Sequence, residues 1–101
     1  MNIIAFRTIR SFFEKHPISE ASLRTWYTIL KQQNWLKPSD VVEAFGTKNV
    51  DIIGNDRVCI DVKGNNLRVI LRVNYKSNTC FIRWIGWHKD YDKLGKSIFE
   101  I

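Results

Sequence analysis

Three segments of strict two-residue alternation constrain this chain more than any other feature. Val58, Ile60 and Val62 alternate with Arg57, Cys59 and Asp61. Leu67, Val69, Leu71 and Val73 alternate with Arg68, Ile70 and Arg72, and Cys80, Ile82 and Trp84 alternate with Phe81, Arg83 and Ile85. Successive side chains of a strand point to opposite faces, so each segment reads as a strand with one apolar face, and the short gaps make the pairs antiparallel. Gly64-Asn65 suits a two-residue hairpin turn, and Ser77-Asn78 offers a second. With both loops two residues long, Asp61 faces Arg68, Arg57 faces Arg72, Arg72 faces Arg83, and Arg68 faces Trp87. Val58, Ile60, Val62, Leu67, Val69, Leu71, Ile82 and Trp84 then share a continuous apolar face that must be covered.

The cover is in the first half of the chain. Ile3, Ile4 and Phe6 suit a short first strand, and from about Thr8 to Lys15 the residues Ile9, Phe12 and Phe13 share one helical face. Pro17 disfavours helical backbone at His16 and ends that helix. Ser19 is placed to cap a second helix, in which Leu23, Trp26, Tyr27 and Leu30 repeat at core-facing spacing. Asp40 and Glu43 have capping-box spacing before Gly46, which reads as either a short helix or a turn. The expected class is therefore α+β, with N-terminal helices packed on one face of an antiparallel sheet. At 101 residues the chain has the size of one domain, 1–101.

Apolar runs reach four or five residues at most, too short to span a bilayer. The opening MNIIAFRTIR is charged too soon for a secretion signal, so a cytoplasmic protein is expected. Cys59 and Cys80 fall on opposite faces of strands two apart, which puts their Cα atoms more than roughly 7 Å apart and predicts free thiols. The cysteines and the two histidines lack metal-ligand spacing, and no metal or cofactor is expected.

A net charge of +6 favours a polyanionic partner, and the register says where the charge falls. Arg57, Arg72 and Arg83 form one row across three strands, although like charges placed opposite one another destabilise a sheet. Asp61 can partner Arg68, but the row has no carboxylate of its own. Cys59, Ile70, Phe81 and Ile85 make a half-apolar floor between the arginines, a surface suited to phosphate forks and stacked bases. The alternative is a solvated basic face partly covered by the C-terminal tail. After the last strand come Gly86-Trp87-His88-Lys89-Asp90-Tyr91-Asp92-Lys93. A helical turn from Lys89 sets His88, Tyr91 and Asp92 on one side, with His88 emerging beside Arg68. An imidazole can move protons near neutral pH, an arginine can stabilise developing negative charge, and a tyrosine can bind or relay. RNA brings its own nucleophile, the 2′-hydroxyl. A histidine after a strand can also be purely structural, and the spacing alone leaves both roles open.

These residues carry a resemblance. Asn55-Asp56-Arg57-Val58, Lys63-Gly64-Asn65-Asn66-Leu67-Arg68-Val69, Phe81-Ile82-Arg83 and His88-Lys89-Asp90-Tyr91-Asp92 resemble the HigB group of RelE-like bacterial toxins. Phe13-Glu14-Lys15-His16-Pro17 and Trp26-Tyr27 extend the likeness over nearly the whole chain. The resemblance implies a RelE-like fold and a toxin that cuts messenger RNA, typically on translating ribosomes, and is neutralised by a HigA-type helix-turn-helix antitoxin. For that activity His88 is the leading proton-transfer candidate and Arg68 the transition-state arginine, with Tyr91 in support. Arg57, Arg72 and Arg83, with Lys63, Lys89 and Lys93, would hold RNA or ribosome phosphates. Two positions depart from the family: Trp87 stands where a threonine is usual, and Asp61 where an asparagine is common. Trp87 offers a stacking surface or narrows the site, and Asp61 sets a carboxylate against Arg68. Two other functions compete, a non-catalytic binder of RNA or ribosomes that acts by occupancy, and a toxin fold that serves only as an antitoxin's partner.

Overall fold

Alternation in the second half of the chain does produce strands, and they form one sheet. The computed structural model describes residues 1–62 and 66–101. In chain order the elements are β1 (Asn2–Ile4), α1 (Phe6–Lys15), α2 (Glu20–Lys31), α3 (Pro38–Phe45), β2 (Val50–Gly54), β3 (Arg57–Val62), β4 (Leu67–Asn74), β5 (Thr79–Trp87) and α4 (His88–Tyr91). The five strands are ordered β1-β5-β4-β3-β2, antiparallel except that β1 runs parallel to β5.

The β3–β4 register is the expected one, with Arg57 opposite Arg72 and Asp61 opposite Arg68. The Gly64-Asn65 turn and Lys63 lie outside the described residues. The β4–β5 register differs. Its loop has four residues, since Asn74 pairs with Thr79, and the backbone takes a positive φ of 52° at Asn78. A bulge between Ile70 and Leu71 then takes up one residue, so Ile70 pairs with Trp84 while Leu71 pairs with Ile82. An inserted residue swaps the faces of everything beyond it. Arg72 therefore lies opposite Phe81, Arg68 opposite Gly86, and exposed Arg83 is the extra residue at the bulge. The expected Arg57–Arg72–Arg83 row ends at Arg72, and Trp84 joins Ile70 on the face away from the helices.

The helix-facing layer is apolar throughout. Ile9 and Phe13 of α1, Leu23, Trp26 and Leu30 of α2, and Trp35 and Val41 pack on Val58, Ile60, Val62, Leu67, Val69, Leu71, Val73 and Ile82. Burying each such aliphatic side chain contributes about 1.5–3 kcal/mol, which fixes the sheet's register against slippage. Helix boundaries depart from expectation at three points. Phe6 opens α1 rather than closing β1, because Ala5 at φ 76° turns the chain sharply between them. Ser19 precedes α2 but makes no side-chain cap; its hydroxyl donates back to the His16 carbonyl at 2.6 Å. Asp40 lies inside the first turn of α3, where its Oδ2 accepts the backbone N–H of Leu36 at 2.8 Å. Gly46 does end that helix, at φ 93°.

The second sheet face is covered at one end by the chain's last segment. Arg57, only 8% exposed, donates Nε to the Ile101 carbonyl at 3.0 Å and Nη1 to the Asn55 carbonyl at 2.8 Å. Asn55 donates its side-chain amide to the Phe99 carbonyl at 2.9 Å. At the other end this face is left for α4.

Candidate active site

The sheet's second face and α4 bring together side chains from β2, β3, β4 and the end of β5. Arg68 projects from β4 onto a floor of Cys59 and Ile70, both buried. Trp84 follows the bulge onto this face and folds its indole across Gly86, where a Cβ would overlap the ring. Its ring lies 6.2 Å from that of Tyr91. The single turn of α4 then sets His88 and Tyr91 on one side, with the Tyr91 ring 4.7 Å beneath the Arg68 guanidinium, a cation–π contact.

Three side chains lie along the edges of the guanidinium. Nη1 donates to Asp51 Oδ2 at 2.7 Å, and Nη2 lies 2.8 Å from His88 Nε2. Nε is 2.9 Å from Asp61 Oδ1 in an ion pair, although its N–H is not aimed at an acceptor. Burial works against the charge of Arg68, but the carboxylates of Asp61 and Asp51 outweigh it and hold the pKa above the ordinary arginine value. Because arginine has donors only, the Arg68–His88 contact requires an unprotonated Nε2 and places the ring hydrogen on Nδ1. There Asp92 Oδ2 lies 3.3 Å away, one helical turn on.

Beneath these groups the thiol of Cys59 is pushed up to about 12 by burial, against the pull of Arg68. Burial, with Cys59 and Asp51, also raises Tyr91 well above the usual phenol value. Both groups are neutral hydrogen-bonding partners near pH 7. The Tyr91 hydroxyl donates to Asp51 Oδ2 at 3.3 Å.

His88, Arg68 and Tyr91 therefore converge, by a pairing one residue away from the expected one. The other sequence candidates divide. Lys89 borders a shallow depression of about 340 Å³ with Asn66, Trp87 and His88, and Lys93 is exposed just beyond α4. Arg72 is exposed four residues along β4, roughly 13 Å from Arg68 at 3.3 Å per residue, beside Phe81 and Tyr75. Arg57 is committed to carbonyls of the chain itself and is not presented to solvent. Trp87 is opposite Leu67, not Arg68. Its indole packs at 5.6 Å from Phe12 and 5.4 Å from His16, in an aromatic cluster on the helix side. It offers no stacking surface over Arg68.

Two residues that matter here are not evident from the sequence. Asp51 enters because β2 pairs with β3 and sets it opposite Cys59. The signal was present in Gly54-Asn55-Asp56, whose positive φ angles of 104°, 52° and 64° form the β2–β3 turn. Trp84 keeps the two-residue phase of the core residues Cys80 and Ile82, and only the bulge moves it to this face.

The comparisons agree with this architecture. Residues 19–94 match the family model of HigB toxin, the RelE-like toxic component of a toxin–antitoxin system. The chain is 31% identical over 94 residues to an "mRNA interferase HigB" of Escherichia coli O6:H1, covering 93% of this chain and 91% of that protein. It is 26% identical over 92 residues to the "mRNA interferase toxin HigB" of Escherichia coli K12, covering 91% and 88%, and equally similar to the "mRNA interferase HigB" of Shigella flexneri. This chain belongs to the HigB family of RelE-like toxins.

Proposed function

We propose that this protein arrests growth by cutting messenger RNA, with Arg68, His88 and Tyr91 as the catalytic group. The observation that carries the reading is the 2.8 Å contact between Arg68 Nη2 and His88 Nε2, made beside the Tyr91 hydroxyl. As Arg68 Nη2 turns from the ring to the phosphate, His88 Nε2 is freed to take the proton of an RNA 2′-hydroxyl. The 2′-oxygen bonds to the adjacent phosphorus, the P–O5′ bond breaks, and the leaving 5′-oxygen takes up a proton from the imidazolium or water. Arg68 and the neutral Tyr91 hydroxyl donate to the non-bridging oxygens as charge builds, where preorganised donors contribute most. Asp92 holds the ring in the tautomer this needs. RNA supplies the nucleophile, so no metal enters this scheme.

Lys89, Lys93, Arg72 and Arg83 are the exposed cations suited to RNA or ribosome phosphates. Lys63 is included from the sequence alone. The names of the relatives support messenger RNA as the substrate. The family resemblance supports a HigA-type helix-turn-helix antitoxin as the neutralising partner, the translating ribosome as the place of cleavage, and the cytoplasm as the compartment. Among the described residues no helix is long and apolar enough to cross a membrane.

The scheme is tested by the ends of the products. Cleavage of a messenger RNA in ribosome-containing extract should leave 2′,3′-cyclic phosphate and 5′-hydroxyl ends, and a 2′-deoxy substitution at the cut nucleotide should block it. Growth arrest with no cut RNA would replace cleavage by occupancy.

A further inference from the structure

Asp51 Oδ2 accepts from Arg68 Nη1 at 2.7 Å and from the Tyr91 hydroxyl at 3.3 Å. One anionic oxygen thus meets both donors that the proposed reaction directs at a phosphate oxygen. On the other amino group of the same guanidinium stands His88 Nε2. The two carboxylates around Arg68 are not equivalent. Asp61 sits directly across the β3–β4 pair, against Nε at the stem of the guanidinium, with its side chain 29% exposed. Asp51 comes from the edge strand β2, reaches the outer amino group, and is 55% exposed. A short side chain at that edge can rotate into water, whereas Asp61 remains under Arg68.

We propose that Asp51 Oδ2 occupies the subsite for a non-bridging oxygen of the scissile RNA phosphodiester, and that Asp51 is a built-in competitor which the substrate displaces. This rests on the nuclease reading of the site. Two anionic oxygens cannot share the position, so binding exchanges one anion for another at Arg68 while Asp61 keeps the guanidinium oriented. The exchange also has an ionic signature. The displaced carboxylate repels the incoming phosphodiester, and salt screens that repulsion, which offsets part of the salt sensitivity of the contact.

The test uses a single-stranded RNA oligonucleotide with every 2′-hydroxyl methylated, which binds without being cut. Asp51→Asn and Asp51→Ala should each bind it about two- to fivefold more tightly than the native protein at low salt, the range of one exposed ion pair. Their log–log salt slopes should be steeper, by less than the roughly 0.7 of one full phosphate contact on a single strand. In an Arg68→Ala background the gain should vanish, and Asp61→Asn should weaken binding. A gain that persists without Arg68, or an equal gain in Asp61→Asn, would reduce Asp51 to a contribution to the general field and overturn the subsite. Native binding that disappears in Arg68→Ala, with no gain in either Asp51 variant, overturns the subsite and spares the nuclease reading. If neither native protein nor variants bind, the subsite falls, and the nuclease reading is decided separately by the product ends in ribosome-containing extract.

Discussion

Arg68 Nη2 and His88 Nε2 lie 2.8 Å apart although twenty residues separate them in the chain. The contact joins the middle of the sheet to the first residue of α4 and sets the imidazole against the guanidinium. Removing a positioned proton-transfer group slows a reaction by about 10²–10⁴-fold. His88→Ala should therefore lose cleavage and growth arrest by that factor while still binding RNA and the antitoxin. Arg68→Ala should lose cleavage and some RNA affinity together. His16, packed 4.7 Å from the Phe12 ring on the helix side, is the internal control, and His16→Ala should keep its cleavage rate. Native-strength arrest by His88→Ala without RNA cleavage would promote the occupancy mechanism.

The arginines separate by burial. Arg72 and Arg83 are exposed, and replacing either by alanine should flatten the log–log salt dependence of RNA binding by roughly 0.7–0.9 for every phosphate it neutralises. Arg57→Ala should leave the slope alone. It should instead destabilise the fold by about 1–3 kcal/mol, because it strips the Ile101 and Asn55 carbonyls of their donor. Urea unfolding of the three variants beside salt titrations distinguishes the two classes, and a flattened slope for Arg57→Ala would return it to the RNA interface.

How far the sequence was legible follows from this division. Alternation and turn chemistry were sufficient for β3 and β4, so Asp61 against Arg68 could be read directly. The same logic failed between β4 and β5, because Ser77-Asn78 is the end of a four-residue loop and the bulge at Arg83 leaves no mark in the alternation of apolar residues. The helix stripes identified the core, since Leu23, Trp26 and Leu30 can only face inward. His88 and Tyr91 were found because a helical turn brings residues three apart onto one side whatever the register before it. Asp51 was out of reach, since its position depends on β2 joining the edge of the sheet, a tertiary choice with a weak local signal.

Gly86 tests the aromatic floor. The Trp84 indole lies across Gly86, and a methyl group there would overlap the ring. Gly86→Ala should force Trp84 off the sheet and away from Tyr91, at a cost of about 1–3 kcal/mol. Cleavage should fall with it, because the Tyr91 ring is then no longer held in place under Arg68 by the indole. Trp84→Leu in the Gly86→Ala background removes the overlap and should restore stability more than activity. A double variant no more stable than Gly86→Ala alone would show that the indole is not what excludes the methyl group.

The thiols set an alkaline limit to stability. Burial pushes Cys59, on the site's floor, and Cys80, in the helix-side core, each up to about 12 from an ordinary 9.0. An acid whose pKa is raised by folding contributes fully below its unfolded value and loses that contribution as pH rises through the window up to its folded value. Between pH 9 and about 12 the unfolded chain has released thiol protons that the folded chain retains, so stability must fall across this range. Each thiol contributes a slope of up to about 1.4 kcal/mol per pH unit. Cys80→Val keeps the core apolar and removes one titrating group. Its urea midpoint, followed from pH 7 to pH 11, should decline less steeply above pH 9 than that of the native protein, while the two run parallel below it. Parallel decline above pH 9 as well would show that the Cys80 thiol ionises as readily in the folded chain as in the unfolded one.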